Sequence, residues 1–276
     1  MKRFINLVPG RGMRWVLTAL PFVLIVVVYL AGSQMRLAAN PSDKLLPSLA
    51  QFAEAVDRLA FKPSGRTGEY ELWMDTLASL QRLVLGVGVS ALLGLSFGIA
   101  SGILPYLHAG FSPFITVVSM IPPMAVLPIL FIVLGLGETA KVRLIVIGIA
   151  PFLIRDLESR VLELPAEQII KAQTLGASTW QLIVRVVLPQ VLPRLFGALR
   201  LSLGPAWLFL IAAEAIAAEQ GLGYRIFLVR RYLAMDVILP YVAWITLLAL
   251  LMDMGLKRAT RAWFPWFGGD AQGRGA

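Results

Sequence analysis

The 276-residue chain has no cysteine and a single histidine, His108. Disulfide scaffolds are therefore excluded, and the usual Cys/His zinc sites cannot be assembled from its residues. Charge is scarce as well: Asp, Glu, Lys and Arg together make 15% of the residues, against 58% hydrophobic. Soluble domains carry about 25% charged and about 45–50% apolar residues. One stretch of 55 residues, Leu83 to Gly137, carries no charged side chain at all. No lysine follows a glycine, so the G-x-x-x-x-G-K-[ST] phosphate loop is missing, and with it a nucleotide site of that kind. The net charge of +9 comes from Lys and Arg dispersed over both ends and the large loops, without a basic block. That is the pattern of bilayer flanks, and it argues against nucleic acid as a partner. What remains is an all-α integral membrane protein.

A membrane-crossing helix needs about 20 mainly apolar residues. Trp15 to Ala31 is an uncharged run behind Lys2, Arg3, Arg11 and Arg14. Such a run also fits a signal peptide, but the membranous remainder of the chain favours an uncleaved anchor. The 55-residue run would rise about 80 Å as one helix, too far for a single crossing. The segment Pro105 to Pro113, with Gly110 inside it, is expected to break it in two. Six spans follow, at about 15–31, 83–104, 112–134, 142–160, 195–218 and 237–256. The fourth has only eleven uncharged central residues, Leu144 to Ile154, and has to be shielded by other helices. An even number of spans leaves both termini on one side. The basic 155–200 segment and the basic end place that side in the cytoplasm. The chain then divides into an N-terminal tail (1–14), a transmembrane domain (15–267) and a flexible cytoplasmic tail (268–276).

Between the first two spans, Leu45 to Ala60 has apolar residues at 45, 49, 52, 56 and 59, one helical face lying on the outer surface. Gly86, Ser90, Gly94, Gly98 and Gly102 recur every fourth residue of the second span, a groove for close helix packing. The third span holds Met120, Pro122, Pro123, Met124 and Pro128, and prolines are tolerated where a membrane helix lines a cavity. Glu214 in the fifth span is expensive in lipid and is expected to face a cavity or a partner, or to sit solvated at the outer interface. Arg200 lies about 21 Å from it along a helix, too far to pair. With Trp207, these side chains are the candidates for a translocation pathway.

The segment 161–190 lies on the cytoplasmic face. Leu164-Pro165 starts a helix that carries Glu167, Ile170, Lys171, Ala172 and Thr174, and Gly176 ends it. Ser178 caps a second helix, expected to stop at Leu188-Pro189. A short helix, a glycine elbow at Leu175-Gly176-Ala177 and a second helix make a wedge suited to docking a partner.

Ile170 to Gly176, nine residues, then Val186-Val187-Leu188-Pro189 resembles the cytoplasmic EAA loop of binding-protein-dependent ABC importer permeases. Gly176 and Leu188-Pro189 fall at the family spacing; the family's Glu and first Ala are replaced by Ile170 and Lys171. Ser79-Leu80-Gln81-Arg82, Ile121-Pro122-Pro123, Leu134-Gly135-Leu136-Gly137-Glu138 and Gly221-Leu222-Gly223-Tyr224 are similar to the nitrate/sulfonate/taurine branch. The resemblance spans residues 40–267. It implies a type I importer permease fold with cytoplasmic coupling helices, a homodimer of permease subunits in membrane lipid, and two ATP-binding subunits that hold ATP and Mg. It also implies a periplasmic binding protein delivering a small solute such as a sulfonate, taurine or nitrate. On this reading the chain binds no cofactor or metal and is not itself an enzyme. A secondary transporter or channel is the competing class, and it leaves segment 161–190 unexplained.

Overall fold

The computed structural model describes residues 9–40, 43–65 and 68–268. The tail residues 1–8 and 269–276, and Arg66 and Thr67 of the linker after the expected surface helix, lie outside the described residues. The described chain is helical, and it divides into two units: residues up to 70 with 229–240, and residues 71–228 with those from 241 onward.

In the first unit, α1 (Arg11–Ala39) outruns the expected span. Only 6% of its most apolar window is buried, so the helix presents its Val, Ile and Leu side chains outward, as a lipid-facing helix does. Tyr29 anchors its far end, with its hydroxyl donating to the Pro47 carbonyl (2.7 Å) and its ring stacked on Phe52 (5.8 Å). The following helix α2 (Leu49–Val56) starts with a reciprocal capping box between Ser48 and Gln51, then widens into a π turn at Asp57–Phe61. The expected stripe is turned inward at its C-terminal end, where Leu59 is buried, while Leu45 and Leu49 stay exposed.

The second unit is built on α3 (Glu71–Ile103), α6 (Glu138–Leu162) and α9 (Leu188–Ala217). The small-residue stripe of α3 faces α6 along its length. A Cβ at Gly86 would meet Ile145, at Gly94 Leu153, at Gly98 Leu157 and at Gly102 Val161. Ser90, the remaining member, is buried and returns its hydroxyl to the Gly86 carbonyl (2.7 Å). The backbones approach this closely because no side chain stands between them. On its opposite side α6 meets α9, where Phe209 lies against Gly148. With Leu144, Ile145, Ile149, Leu153 and Leu157 all buried, α6 is sheathed by protein. A sheathed helix needs little lipid-compatible surface of its own, which is why it is missing from the helices apolar enough to cross a membrane.

Four single helices meet that criterion: Gly12–Ala39, Glu71–Ile103, Thr179–Ala217 and Met235–Trp263. A fifth arises from α4 (Pro105–Met120) and α5 (Pro123–Leu134), which meet at 94°. Here the expected single span 112–134 is corrected. The expected break of the long run stands at its leading edge: α3 ends at Ile103, Leu104 is extended and Pro105 opens α4, where its missing N–H is not needed, while Pro113 is carried inside. What the expectation missed is a second break at Ile121-Pro122, both extended, because a residue before proline avoids the helical region.

A second correction concerns Pro189. Beyond the short helix α7 (Ala166–Thr174), α8 (Thr179–Leu182) does not stop at Leu188-Pro189. It runs through a π turn at Ile183–Val187 into α9, giving one helix from Thr179 to Ala217. Pro189 occupies the first turn after that widened ring, where the lost N–H and the ring clash are relieved. The chain closes with α10 (Leu222–Val229) and α11 (Met235–Trp263), and Arg200 of α9 forms a bidentate pair with Asp253 of α11 (2.7 and 2.9 Å).

The stripe sets a measurable cost. A Cβ at Gly98 would lie 2.8 Å from Leu157 Cβ and 3.0 Å from the Ile154 carbonyl oxygen, one of them unyielding backbone. Gly98→Ala is expected to cost about 1–3 kcal/mol by overpacking. It should lower the thermal unfolding midpoint of the detergent-solubilised protein, whereas Gly88→Ala, with nothing within 4 Å on the same helix, should not.

Candidate functional site

Two sites emerge in the second unit, one expected and one not. The expected site is the elbow. α7 ends in a Schellman motif: the Ala177 N–H reaches the Ala172 carbonyl (3.0 Å) and the Gly176 N–H the Gln173 carbonyl (2.9 Å), with Gly176 at φ +80°. Ser178 and Gln181 then form a capping box that starts α8. Beneath the elbow, Ile169 and Ala172 pack on a core of Leu164, Leu182, Val187 and Val191. Outward, Leu175 is 87% and Trp180 72% exposed, and Ile170 joins them. Glu167 and Lys171 are exposed at the polar margin, and Leu188 and Pro189 lie half-buried behind the π turn. Thr174 donates to the Lys171 carbonyl (2.8 Å). Glu163, at the base, is held below the usual carboxylate range by the Arg194 guanidinium 2.8 Å away, with Arg160 adding to it.

The pathway candidates are not gathered in one place. Met120, Pro122, Pro123 and Met124 cluster at the 94° bend, with both methionines exposed, and Pro128 lies one turn into α5. Trp207 is buried in α9, and its indole N–H has no partner among the described residues. Glu214 is fully buried, which excludes the solvated outer-interface reading.

Glu214 is the centre of the second site. Its carboxylate accepts from Ser79 Oγ (2.8 Å), Arg82 Nη1 (2.7 Å) and the Gly223 N–H (2.8 Å). Arg82 also forks onto Glu138 (2.5 and 2.8 Å) and donates to the Gln220 carbonyl (2.8 Å), and Lys141 closes on Glu138 from the other side (2.6 Å). Two turns before Arg82 on α3, Asp75 accepts from the Gly221 N–H (2.9 Å), Arg225 Nε (2.8 Å) and the Tyr241 hydroxyl (3.1 Å). Ser79 Oγ accepts from the Leu222 N–H (2.8 Å).

Three successive backbone N–H groups, at Gly221, Leu222 and Gly223, are thus each taken by a different buried side chain. Asp75, Ser79 and Arg82 share one face of α3 because they are spaced i, i+4, i+7. Gly221, at φ +134°, has room for no side chain: a Cβ there would lie 2.5 Å from the Glu214 carboxyl. Sequence reasoning singled out Ser79-Leu80-Gln81-Arg82, Glu214 and Gly221-Leu222-Gly223 without joining them. The polar triplet on one face at the head of an apolar helix was the available signal.

An importer-type membrane permease is the class that this architecture defines, and the comparisons place the chain within it. Residues 90–263 match the family described as "Binding-protein-dependent transport system inner membrane component", and the chain belongs to that family. It is 38% identical over 197 residues to the taurine transport system permease protein TauC of Escherichia coli strain K12, covering 71% of this chain and 72% of that protein. It is 30% identical over 209 residues to the nitrate import permease protein NrtB of Synechococcus elongatus, covering 74% of each. Among solved structures, a bacterial ABC transporter involved in the import of the acidic polysaccharide alginate superposes with a TM-score of 0.62 at 13% identity, covering 90% of this chain and 96% of that one. The fold is that of a type I ABC importer permease, and the chain is a multi-pass inner-membrane permease component.

Removing one partner of a buried ion pair strands the other, at about 3–5 kcal/mol. Glu214→Ala is therefore expected to destabilise by that order, because Arg82, Ser79 and the Gly223 N–H lose their common acceptor. The double variant Arg82→Met/Glu214→Leu should recover a substantial part of the loss. Thermal unfolding of the purified protein, read as a double-mutant cycle, measures both.

Proposed function

We propose that this chain is one of two identical permease subunits whose cytoplasmic elbow, α7–Gly176–α8, is gripped by two separate ATP-binding subunits. A periplasmic binding protein delivers a small solute to the opposite face, in the class of taurine and related sulfonates, nitrate or bicarbonate. ATP and Mg bind in the partner subunits; this chain supplies the path and the lever. It crosses the membrane six times, with α6 as a sheathed fourth crossing and both termini cytoplasmic.

The observation that carries this reading is the elbow's exposed apolar crest, Ile170, Leu175 and Trp180, standing on a rigidly capped turn. Exposed apolar side chains grouped on one turn mark a surface for a partner. Closure of the ATP-binding pair displaces the crest, and the continuous helix from Thr179 to Ala217 carries the displacement into the membrane as one rod. At 1.5 Å per residue the rod is about 58 Å long, so it connects the cytoplasmic grip to Trp207 and Glu214. Nucleotide-driven closure shifts the population between inward- and outward-open states only because the partners bind the two elbow positions with different affinity. The Met-flanked bend between α4 and α5 and the α9 residues facing it are the proposed walls of the pathway.

Gly176→Val places a β-branched residue at φ +80°, where such residues are rarely found. Co-purification of the ATP-binding subunit and ATP-driven uptake should both be lost while membrane insertion persists. Normal uptake in that variant overturns the role of the elbow. The orientation has its own test. Since the chain has no cysteine, Ser64→Cys carries the only thiol, and a membrane-impermeant maleimide should label it in intact cells. Labelling only after lysis would invert the topology.

A further inference from the structure

Beside the buried latch formed by Arg82 and Glu214 lies a crevice of about 710 Å³ between α3 and α6. Leu85, Val89 and Val142 make its apolar wall, and Gln81, Arg82, Glu138 and Arg143 stand on its polar side. The charges in and behind it do not cancel. Arg82, Lys141 and Arg143 face two carboxylates, Glu138 and Glu214, leaving one positive charge. The surplus is on Arg143, which pairs with no carboxylate among the described residues. Glu138 covers the other two cations from the crevice side: its side chain is 63% exposed, whereas those of Arg82 and Lys141 are 8% and 4% exposed. Arg82 and Lys141 are thus screened from an incoming anion by one exposed carboxylate, and Arg143 by no carboxylate among the described residues.

We propose that this crevice is an oxyanion site. Arg143 makes the first contact, Glu138 is the intrinsic competitor for Arg82 and Lys141, and the Leu85–Val89–Val142 wall accommodates a short aliphatic segment attached to the anion. A charge-assisted contact from guanidinium to oxyanion is planar and bidentate, which suits a sulfonate, carboxylate or phosphate head. The same chemistry has two sources: a transported organic anion, or the head group of an anionic phospholipid. The first source rests on the permease reading given above; the second does not. On the proposed orientation the crevice opens at the outer half of the membrane.

The test uses the whole importer, purified through a tag on this chain, as wild type, Arg143→Gln, Arg143→Lys and Glu138→Gln. Radiolabelled ethanesulfonate, which has the oxyanion and two carbons but no amine, is the soluble probe. Retained phosphatidylglycerol, read by native mass spectrometry after reconstitution from vesicles containing it, is the lipid probe. Arg143→Gln should weaken one probe about tenfold. Arg143→Lys should weaken it less, and Glu138→Gln, which uncovers Arg82 and Lys141, should tighten it. A change confined to ethanesulfonate identifies the transported anion, and a change confined to phosphatidylglycerol identifies the lipid. The opposite sign at Glu138 is something a merely structural Arg143 would not produce. If folded variants, judged by unchanged thermal unfolding, leave both probes unaltered, the oxyanion site is refuted. If the wild-type importer accumulates no sulfonate, nitrate or bicarbonate with ATP, the transport reading fails instead, while the lipid probe still decides the site.

Discussion

A carboxylate buried with no access to water survives inside a membrane protein only when its charge is met and its lone pairs are filled. Glu214 meets that condition through α3 and the backbone that follows its own helix, with Arg82 as the shared cation. The consequence is mechanical. Arg82 reaches Glu138 of α6, Glu214 of α9 and the carbonyl of Gln220 at once, so three helices and one loop are fixed relative to one another at a single guanidinium. Lysine has no planar fork, and it would not hold that many directions together. The latch lies towards the far end of the helix that begins at the elbow.

That arrangement makes sense of the two departures from the expected helix pattern. Proline usually interrupts a helix, and Pro189 would have uncoupled the elbow from the membrane by ending α8. The π turn at Ile183–Val187 widens the ring just ahead of Pro189, and the helix persists. At Ile121-Pro122-Pro123 no such relief exists. Two successive residues are extended, two N–H groups are missing, and the chain turns through 94°. One proline site is carried within a continuous helix and the other makes a corner. The difference lies in the local hydrogen-bond ring and not in the residue type.

Local signals were legible in the sequence. Gly176 and Ser178 each act within five residues of themselves, so the Schellman turn and the capping box could be placed from spacing alone. The i, i+4 recurrence from Gly86 to Gly102 likewise specified a close-packed face, and α6 proved to be what fills it. The latch was not legible because its partners are separated by more than 130 residues, and no local preference of Arg82 points to Glu214 over any other acid. Arg200 illustrates the converse: helical rise excluded Glu214 as its partner, but only the fold supplies Asp253. The fourth crossing was hard to read for a related reason. Hydropathy reports exposure to lipid, and a helix enclosed by α3 and α9 is freed from that requirement.

The same enclosure explains how so much charge is tolerated. Lys141 and Glu158 are both buried on α6, and each has local partners: Lys141 pairs with Glu138, and Glu158 shares hydrogen bonds with Ser101 and His108. The two clusters lie at opposite ends of the helix, with an uninterrupted apolar run from Leu144 to Ile154 between them. Charge at the ends and aliphatic packing in the middle let α6 act as a rigid spine on which α3 is fixed by its small residues and α9 by Phe209. The same spine also holds α4, through His108 on Glu158 and Arg155 on Ser119, so α3, α4 and α9 all take their position from one enclosed helix.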